Sequence, residues 1–515
     1  MAVVSRALPM PVAWLRAVPL WAVAVCGGLF TALLRLFGVG RGPDVFGDEI
    51  FYWRFGHSVA HGGFPRDDGG LFWLHPPGFF YLEGGWERLF GASADVVSGV
   101  YQMRQLNALL AGFTAVVLVL LTARVTRSTL AGVAVGAVFA IDPFILRINQ
   151  RVLIETSAML WVLLGYLVLL PLTERNPGVK GRRRAAAAGL LFGLAILTKD
   201  VTALVTVLPL LAATVFIWPS KRSLPLLAAG FAAVPYAIYV STVAWAGHID
   251  ALWGTKTHGI RRLLGLVQET GFNSGKSTSL SQRLIEEMSS FGSTYVLLIL
   301  APLAVVPLLR RGGPPQRLLA LWYVSATLAL GYAVVKGTLE EQQLYLLIVP
   351  TIVILTMRAV QLWERRTERA PRAAVSRVAA VSMLTLTLAW SGFTFAGATA
   401  QPDDGYERLR QYMTRHVPAG SSITSMSESS SLLLEDRYRM GEWATPQARA
   451  RERVAYVVVP WRIVEHNLSS FTPREARQLT RHGALLFSFH GRTYGTVELY
   501  RVPVPPPSLL GGRDG

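Results

Sequence analysis

Runs of about twenty apolar residues recur along this chain of 515 residues, and they constrain its fold more than any other feature. A run of that length is what an α-helix needs to cross the hydrocarbon of a bilayer. Lipid offers no partners to backbone N–H and C=O groups, so only helices or closed barrels span it. Composition agrees: 52% of residues are hydrophobic and 16% charged, with a mean hydropathy of +0.39, whereas soluble proteins carry about a quarter charged residues. The expected class is an α-helical polytopic membrane protein.

Eleven apolar segments are predicted as spans, at 11–37, 105–122, 129–146, 152–172, 186–198, 201–218, 223–246, 292–309, 318–335, 342–358 and 376–398. The first is read as a retained helix rather than a cleaved leader, because it is long for one. The net charge of +18 would suggest nucleic acid in a soluble protein. Here the basic residues fill short connectors between apolar runs and no basic patch is interleaved with aromatics, so no nucleic-acid partner is expected. Cys26 is the single cysteine. It excludes an intrachain disulfide and a cysteine metal cluster.

Placing the N-terminus in the cytoplasm puts twenty basic residues on the inner side against Glu174, Glu364 and Glu368. They include Arg124, Arg127, Lys180, Arg182–Arg184, Lys221, Arg310 and Arg365. The opposite connectors hold Asp44, Asp48, Glu49, Asp67, Asp200, Asp250, Glu340 and Glu341. The positive-inside rule therefore puts the long 38–103 loop outside. An odd number of spans puts the C-terminal part outside too. The expected organisation is a membrane domain over 1–399, an extracytoplasmic α/β domain over 400–503 and a disordered Pro/Gly-rich tail over 504–515. In the α/β domain, 403–416 and 472–481 read as helices. Strands are read at 422–426, 454–459, 484–489 and 493–502.

Chemistry is expected where polar residues gather at the outer surface. Asp48 and Glu49 follow the first span and lead into Phe51-Tyr52-Trp53. The bland reading is an acidic pair suited to a helix N-terminus. The catalytic one is a pair of adjacent carboxylates in a partly dry site, one with a raised pKa that acts as a base. His75 precedes Pro76 and Pro77, which hold it extended, either as a rigid turn or as an imidazole presented to a phosphate. Arg151 and Glu155 are spaced i, i+4 and are read as sharing a helix face; they form a structural pair or a site. Lys199 closes its span on the outer side, where it snorkels or meets a lipid phosphate. Gln343 and Tyr345 sit in the polar stretch that opens the tenth span.

Two patterns are weighed against function. Gly271 to Ser277 imitates a phosphate loop but has three residues between its glycines instead of four. His57 and His61 could share a divalent metal with a carboxylate; surface histidines are the simpler reading. No metal and no other cofactor is predicted.

The acidic pair, His-Pro-Pro, the Arg151 and Glu155 stretch and Gly193-Leu-Ala-Ile-Leu-Thr-Lys199 occur in an order that resembles the C-type-fold membrane glycosyltransferases. The likeness is to the protein O-mannosyltransferase and aminoarabinose transferase group, bacterial members included, over roughly residues 20–360. His75 matches the mannosyltransferases, since the aminoarabinose enzymes usually have Lys there. Glu155 stands where the group more often has Asp. The resemblance implies a polyprenyl-phosphate-linked sugar as donor and an inverting transfer to an acceptor hydroxyl of a glycan, protein, lipid or small molecule. It makes Asp48 the base, Glu49 its support or the residue that orients the acceptor, and His75, Arg151 and Lys199 holders of the lipid phosphate. The competing expectations are a transporter or flippase of lipid-linked sugars, and a membrane scaffold with an outer binding domain.

Overall fold

The structure is a computed structural model that describes residues 18–173, 178–219, 221–267, 279–364 and 371–506. The phosphate-loop look-alike, Arg6, Arg16 and most of the tail lie outside the described residues. Helices dominate. Those that position the site are α1 (Leu20–Leu36), α2 (Gly47–Ala60), α3 (Gly78–Phe90), α4 (Val96–Thr126), α5 (Thr129–Ile141), α6 (Pro143–Gln150), α7 (Ile154–Leu169) and α8 (Gly178–Thr198).

Helix lies at each expected span. Among the described residues seven helices are long and apolar enough to cross a membrane, or eight with the bent α5–α6 pair. The helices at Leu20–Leu36 and Asp200–Phe216 are apolar but shorter, and α8 opens in a basic stretch. Large apolar side chains are displayed outward, among them Trp245 at 93% exposure. Water would penalise such a surface and lipid accepts it, so the chain is a multi-pass membrane protein.

The expected single span over 129–146 is instead broken. α5 and α6 meet at 63°. The cause is local: Asp142 Oδ1 accepts from the amides of Phe144 and Ile145, and Pro143 occupies the first position of α6. An Asp cap followed by Pro starts a new helix rather than continuing the old one. The buried Thr294 hydroxyl donates to Asp142 Oδ2 at 2.8 Å and holds the corner.

The 38–103 loop is mostly helical. It forms α2, a two-strand turn of β1 (Arg66–Asp67) and β2 (Gly70–Leu71), and α3. Residues 405–501 build a five-stranded sheet in the order β4-β3-β5-β7-β6. Its strands are β3 (Ser422–Ser425), β4 (Arg439–Gly441), β5 (Tyr456–Pro460), β6 (Ala484–Gly491) and β7 (Gly495–Arg501). β4, β3 and β5 are parallel, while β7 runs antiparallel to both β5 and β6. β4 is new relative to the sequence reading. It is three residues long and without an apolar face, so no periodicity announces it.

The sheet unit packs onto the membrane unit through a continuous core. Tyr406, Leu432 and Tyr494 belong to the same buried cluster as Val45 and Ile50. Polar contacts reinforce it. Asp44 accepts from the Tyr406 amide at 3.0 Å, the Tyr494 hydroxyl donates to the Val45 carbonyl at 2.8 Å, and Arg410 pairs with Asp95 at 2.9 Å. The segment that starts α2 is therefore held between the two units.

Candidate active site

Residues 48 and 49 are neighbours in sequence and opposites in environment. Both lie in the first turn of α2, where the 100° step between successive side chains sends them to different faces. Glu49 is fully buried. Its carboxylate accepts from Arg104 Nε at 2.8 Å and Arg104 Nη2 at 2.7 Å, from the Val152 amide at 2.8 Å and from the Phe46 amide at 3.0 Å. Four donors use its acceptor capacity. The bond to Phe46 is the reach-back half of a capping box. Glu49 thus ties the start of α2 to α4 and to the chain between α6 and α7. All four of these bonds go to Arg104 and to backbone amides and none to Asp48, so Glu49 sits in a structural knot. Arg104, 1% exposed, was missed because the predicted span began one residue after it.

Asp48 is half-buried and has no hydrogen-bond or ion-pair partner among the described residues. Burial pushes its carboxyl up to about 7, with Glu340, Glu155 and Glu428 adding to the rise and Lys199 opposing it. Those four groups come from four different parts of the chain, so Asp48 faces the point where they converge. One turn further along α2, the Tyr52 ring meets the His75 ring edge-on at 6.2 Å.

His75 is placed by the residues that follow it. Gly78 opens α3 directly against the end of α8: a Cβ there would lie 2.7 Å from the Leu197 carbonyl oxygen and 3.2 Å from the Thr198 amide nitrogen. Both are backbone atoms that cannot step aside, so the position requires glycine. That approach sets His75 near Lys199. Burial, and then the charges of Lys199, Lys256 and Arg262, hold the imidazole well below its ordinary pKa. It is neutral at pH 7 and offers a hydrogen bond rather than a charge.

The cations around it are each matched to a carboxylate. Lys199 pairs with Glu155, both buried. Lys256 pairs with Asp200 at 2.6 Å and donates to the Leu74 carbonyl at 2.8 Å, next to His75. Arg262 pairs with Glu340 at 3.1 Å, and Gln343 Nε2 donates to Glu340 at 3.2 Å. Lys256 and Arg262 lie on the helix Ile249–Leu263. Neither is among the expected site residues, because the stretch between the spans at 223–246 and 292–309 reads as a connector.

Of the expected residues, Asp48, His75, Glu155, Lys199 and Gln343 come together. Glu49, Arg151 and Tyr345 do not. Arg151 and Glu155 do not share a helix face, because α6 ends at Gln150 and Arg151 is extended (φ −97°, ψ 161°). Asn107 Nδ2 donates to the Arg151 and Leu153 carbonyls, and Glu49 receives the Val152 amide. Those bonds satisfy the unwound backbone, the condition for non-helical chain inside a membrane protein. Arg151 instead lies over the Phe46 ring and reaches Thr493 of the sheet unit at 3.5 Å. Tyr345 is fully buried, with Arg35 and Asn149 among its neighbours.

Residues 82–251 match the family described as dolichyl-phosphate-mannose-protein mannosyltransferase. No curated protein matches the chain. Solved structures do. The oligosaccharyltransferase AglB from Archaeoglobus fulgidus, in complex with an inhibitory peptide and a dolichol-phosphate, aligns with a TM-score of 0.58 at 12% identity. That alignment covers 95% of this chain and 75% of AglB. ArnT from Cupriavidus metallidurans, bound to undecaprenyl phosphate, aligns with a TM-score of 0.56 at 15% identity, covering 94% of this chain and 99% of ArnT. The mannosyltransferase family match thus runs from within α3 to the start of the helix Ile249–Leu263, and along nearly its whole length the chain has the C-type fold of the membrane glycosyltransferases.

Proposed function

We propose that this protein is an inverting glycosyltransferase that moves a sugar from a polyprenyl-phosphate donor to an acceptor hydroxyl at the outer face of the membrane. The observation that carries the reading is Asp48: a carboxyl without a partner among the described residues, titrating at about 7, set amid Lys199 and the polar groups that surround His75. A base poised near neutrality and cations nearby are the two things this transfer needs. The family match over 82–251 and the lipid phosphates bound in the two structural relatives support the donor class.

In the reaction the acceptor hydroxyl gives its proton to Asp48 as its oxygen attacks the anomeric carbon from the face opposite the phosphate. The bond from that carbon to the phosphate oxygen breaks, and its electron pair leaves with the polyprenyl phosphate. Negative charge grows on the departing phosphate. Lys199, Lys256 and Arg262 sit where they can hold it, with a hydrogen bond from neutral His75. Each cation is already matched to a carboxylate, so the phosphate competes with Glu155, Asp200 and Glu340 for them. That competition lets the product leave. Arg151 is left with an architectural role, tying the start of α2 to the sheet unit.

The donor sugar is proposed as a mannosyl unit, on the family match. The N-terminus is proposed to be cytoplasmic and the sheet unit extracytoplasmic, as the charge distribution requires. Purified protein in detergent, given polyprenyl-phosphate mannose and candidate acceptors, tests the reading by release of polyprenyl phosphate. Release that depends on acceptor supports it. An absence of release with any hexosyl or pentosyl polyprenyl phosphate overturns it.

A further inference from the structure

A second polar cluster lies at the far end of the α2–α3 pair. His57 and His61 are one turn apart at the end of α2, and Glu83 and Glu87 are one turn apart on α3. Ligand atoms of His57, His61 and Glu87 lie within 4.8 Å of one another. His57 Nδ1 meets Glu87 Oε1 at 2.7 Å, and the two imidazole rings are 4.6 Å apart, centre to centre. His61 Nδ1 faces the His57 carbonyl at 2.9 Å. A carbonyl only accepts, so Nδ1 carries the proton and the Nε2 lone pair is free for a cation. A ligand histidine oriented through its other nitrogen is the usual arrangement in metal sites.

The second observation is a set of unpartnered buried carboxylate oxygens. Glu83 is 0% exposed and both its oxygens lack a hydrogen-bond partner; Glu87 is 2% exposed and its Oε2 lacks one. Glu83 lies against Gly56, the residue before His57: a Cβ on Gly56 would stand 2.5 Å from Glu83 Cβ and 3.1 Å from its Oε2. Buried carboxyl oxygens without donors, both on Glu83 and one on Glu87, are costly. A cation shared with the two histidines would satisfy Glu87 and place a positive charge near Glu83.

We propose that His57, His61 and Glu87 form a divalent-metal site, filled by Zn2+, that clamps α2 to α3 beside the buried Glu83. Two imidazoles and carboxylate oxygens suit zinc, which takes such ligands at about 2.0–2.2 Å in a tetrahedral set. The ligand atoms need to close by roughly 1.5 Å to reach that set, a side-chain rotation at the exposed His61. His57 is nine residues from Asp48, about 14 Å along the helix. The ion therefore does not touch the reacting groups. Its work is to fix, relative to one another, the helix that starts with Asp48 and the helix that starts after His75.

The test uses the full chain in detergent with any polyhistidine tag removed, stripped with chelator, exposed to Zn2+ and desalted. Elemental analysis is expected to find one zinc per chain, and added Zn2+ to raise the melting temperature. His61→Ala, at an exposed position that folding does not need, is expected to lose the zinc and the thermal shift while keeping wild-type helix content. Glu87→Gln should lose both as well. Wild-type protein that retains no zinc, or His61→Ala that retains as much as wild type, overturns the assignment. Both readouts are independent of transferase activity.

Discussion

Glu49→Gln separates a structural carboxylate from a catalytic one. In the structure Glu49 receives two bonds from the buried Arg104 guanidinium and two from backbone amides. An amide keeps one acceptor oxygen and turns an NH2 toward donors it cannot accept from. Arg104 is left 1% exposed without its counter-charge. Breaking one side of such a buried pair costs about 3–5 kcal/mol. For a chain of this length, with roughly 1–2 °C per kcal/mol by extension of the size scaling, the melting temperature should fall on the order of 5 °C. Removing both charges in Glu49→Gln/Arg104→Met should return part of the loss, with a coupling of about 2 kcal/mol. The assay is thermal unfolding of the detergent-solubilised variants, paired with turnover per folded molecule. An unchanged melting temperature together with abolished turnover would refute the structural role and restore Glu49 to the reacting groups.

Other outcomes follow from the same geometry. Gly78→Ala must push α3 off the Leu197 carbonyl, carrying His75 away from Lys199. Turnover should fall by more than tenfold, with a rise in the donor KM, while protein yield is retained. Lys199→Met leaves Glu155 buried without its partner, so it should lose about 3–5 kcal/mol of stability as well as donor binding; Lys199→Met/Glu155→Met should regain stability but not donor binding. Asp48 has a folded-state pKa raised from 3.8 to about 7, so the folded chain holds the proton more tightly than the unfolded one. Its contribution to stability therefore falls as pH rises from about 4 through 7 and is flat outside that window. Turnover runs the opposite way, rising through about pH 7 as the base ionises. Thermal unfolding at pH 5 and pH 8 should show a smaller loss in Asp48→Asn than in wild type, the remainder coming from buried carboxyls such as Asp44, which burial raises to about 8.

Much of this was legible in the residues, and the exceptions have identifiable causes. Membrane helices announce themselves because apolar length is a strong signal. The Asp48 and His75 stretches stood out as polar residues beside spans. Missed were features that depend on backbone departing from regular helix. Asp142-Pro143 bends a run that hydropathy reads as continuous, although an Asp before Pro is a helix-start signal in its own right. The chain unwinds at Arg151 because Asn107 and Glu49 capture its backbone, a tertiary effect that i, i+4 spacing cannot anticipate. The contrast between Asp48 and Glu49 follows from which face of α2 meets α4, and only packing decides that. Lys256 and Arg262 lie in a segment too polar to read as a span, although Ile249, Leu252, Trp253, Ile260 and Leu263 recur at helical spacing. The docking of the sheet unit onto residues 44–54 rests on contacts across more than 350 residues of sequence, for example Asp44 with Tyr406, and no local pattern encodes it.

The central claim is that Asp48 is the base for transfer from a polyprenyl-phosphate sugar. Its most direct test is the release of polyprenyl phosphate by purified wild type and Asp48→Asn under saturating donor and acceptor. Asn is nearly isosteric, cannot take the proton, and relieves rather than adds burial of charge, so the variant should fold and bind donor. The account predicts turnover reduced by roughly 10²–10⁴-fold with donor affinity retained. Full turnover by Asp48→Asn would contradict it.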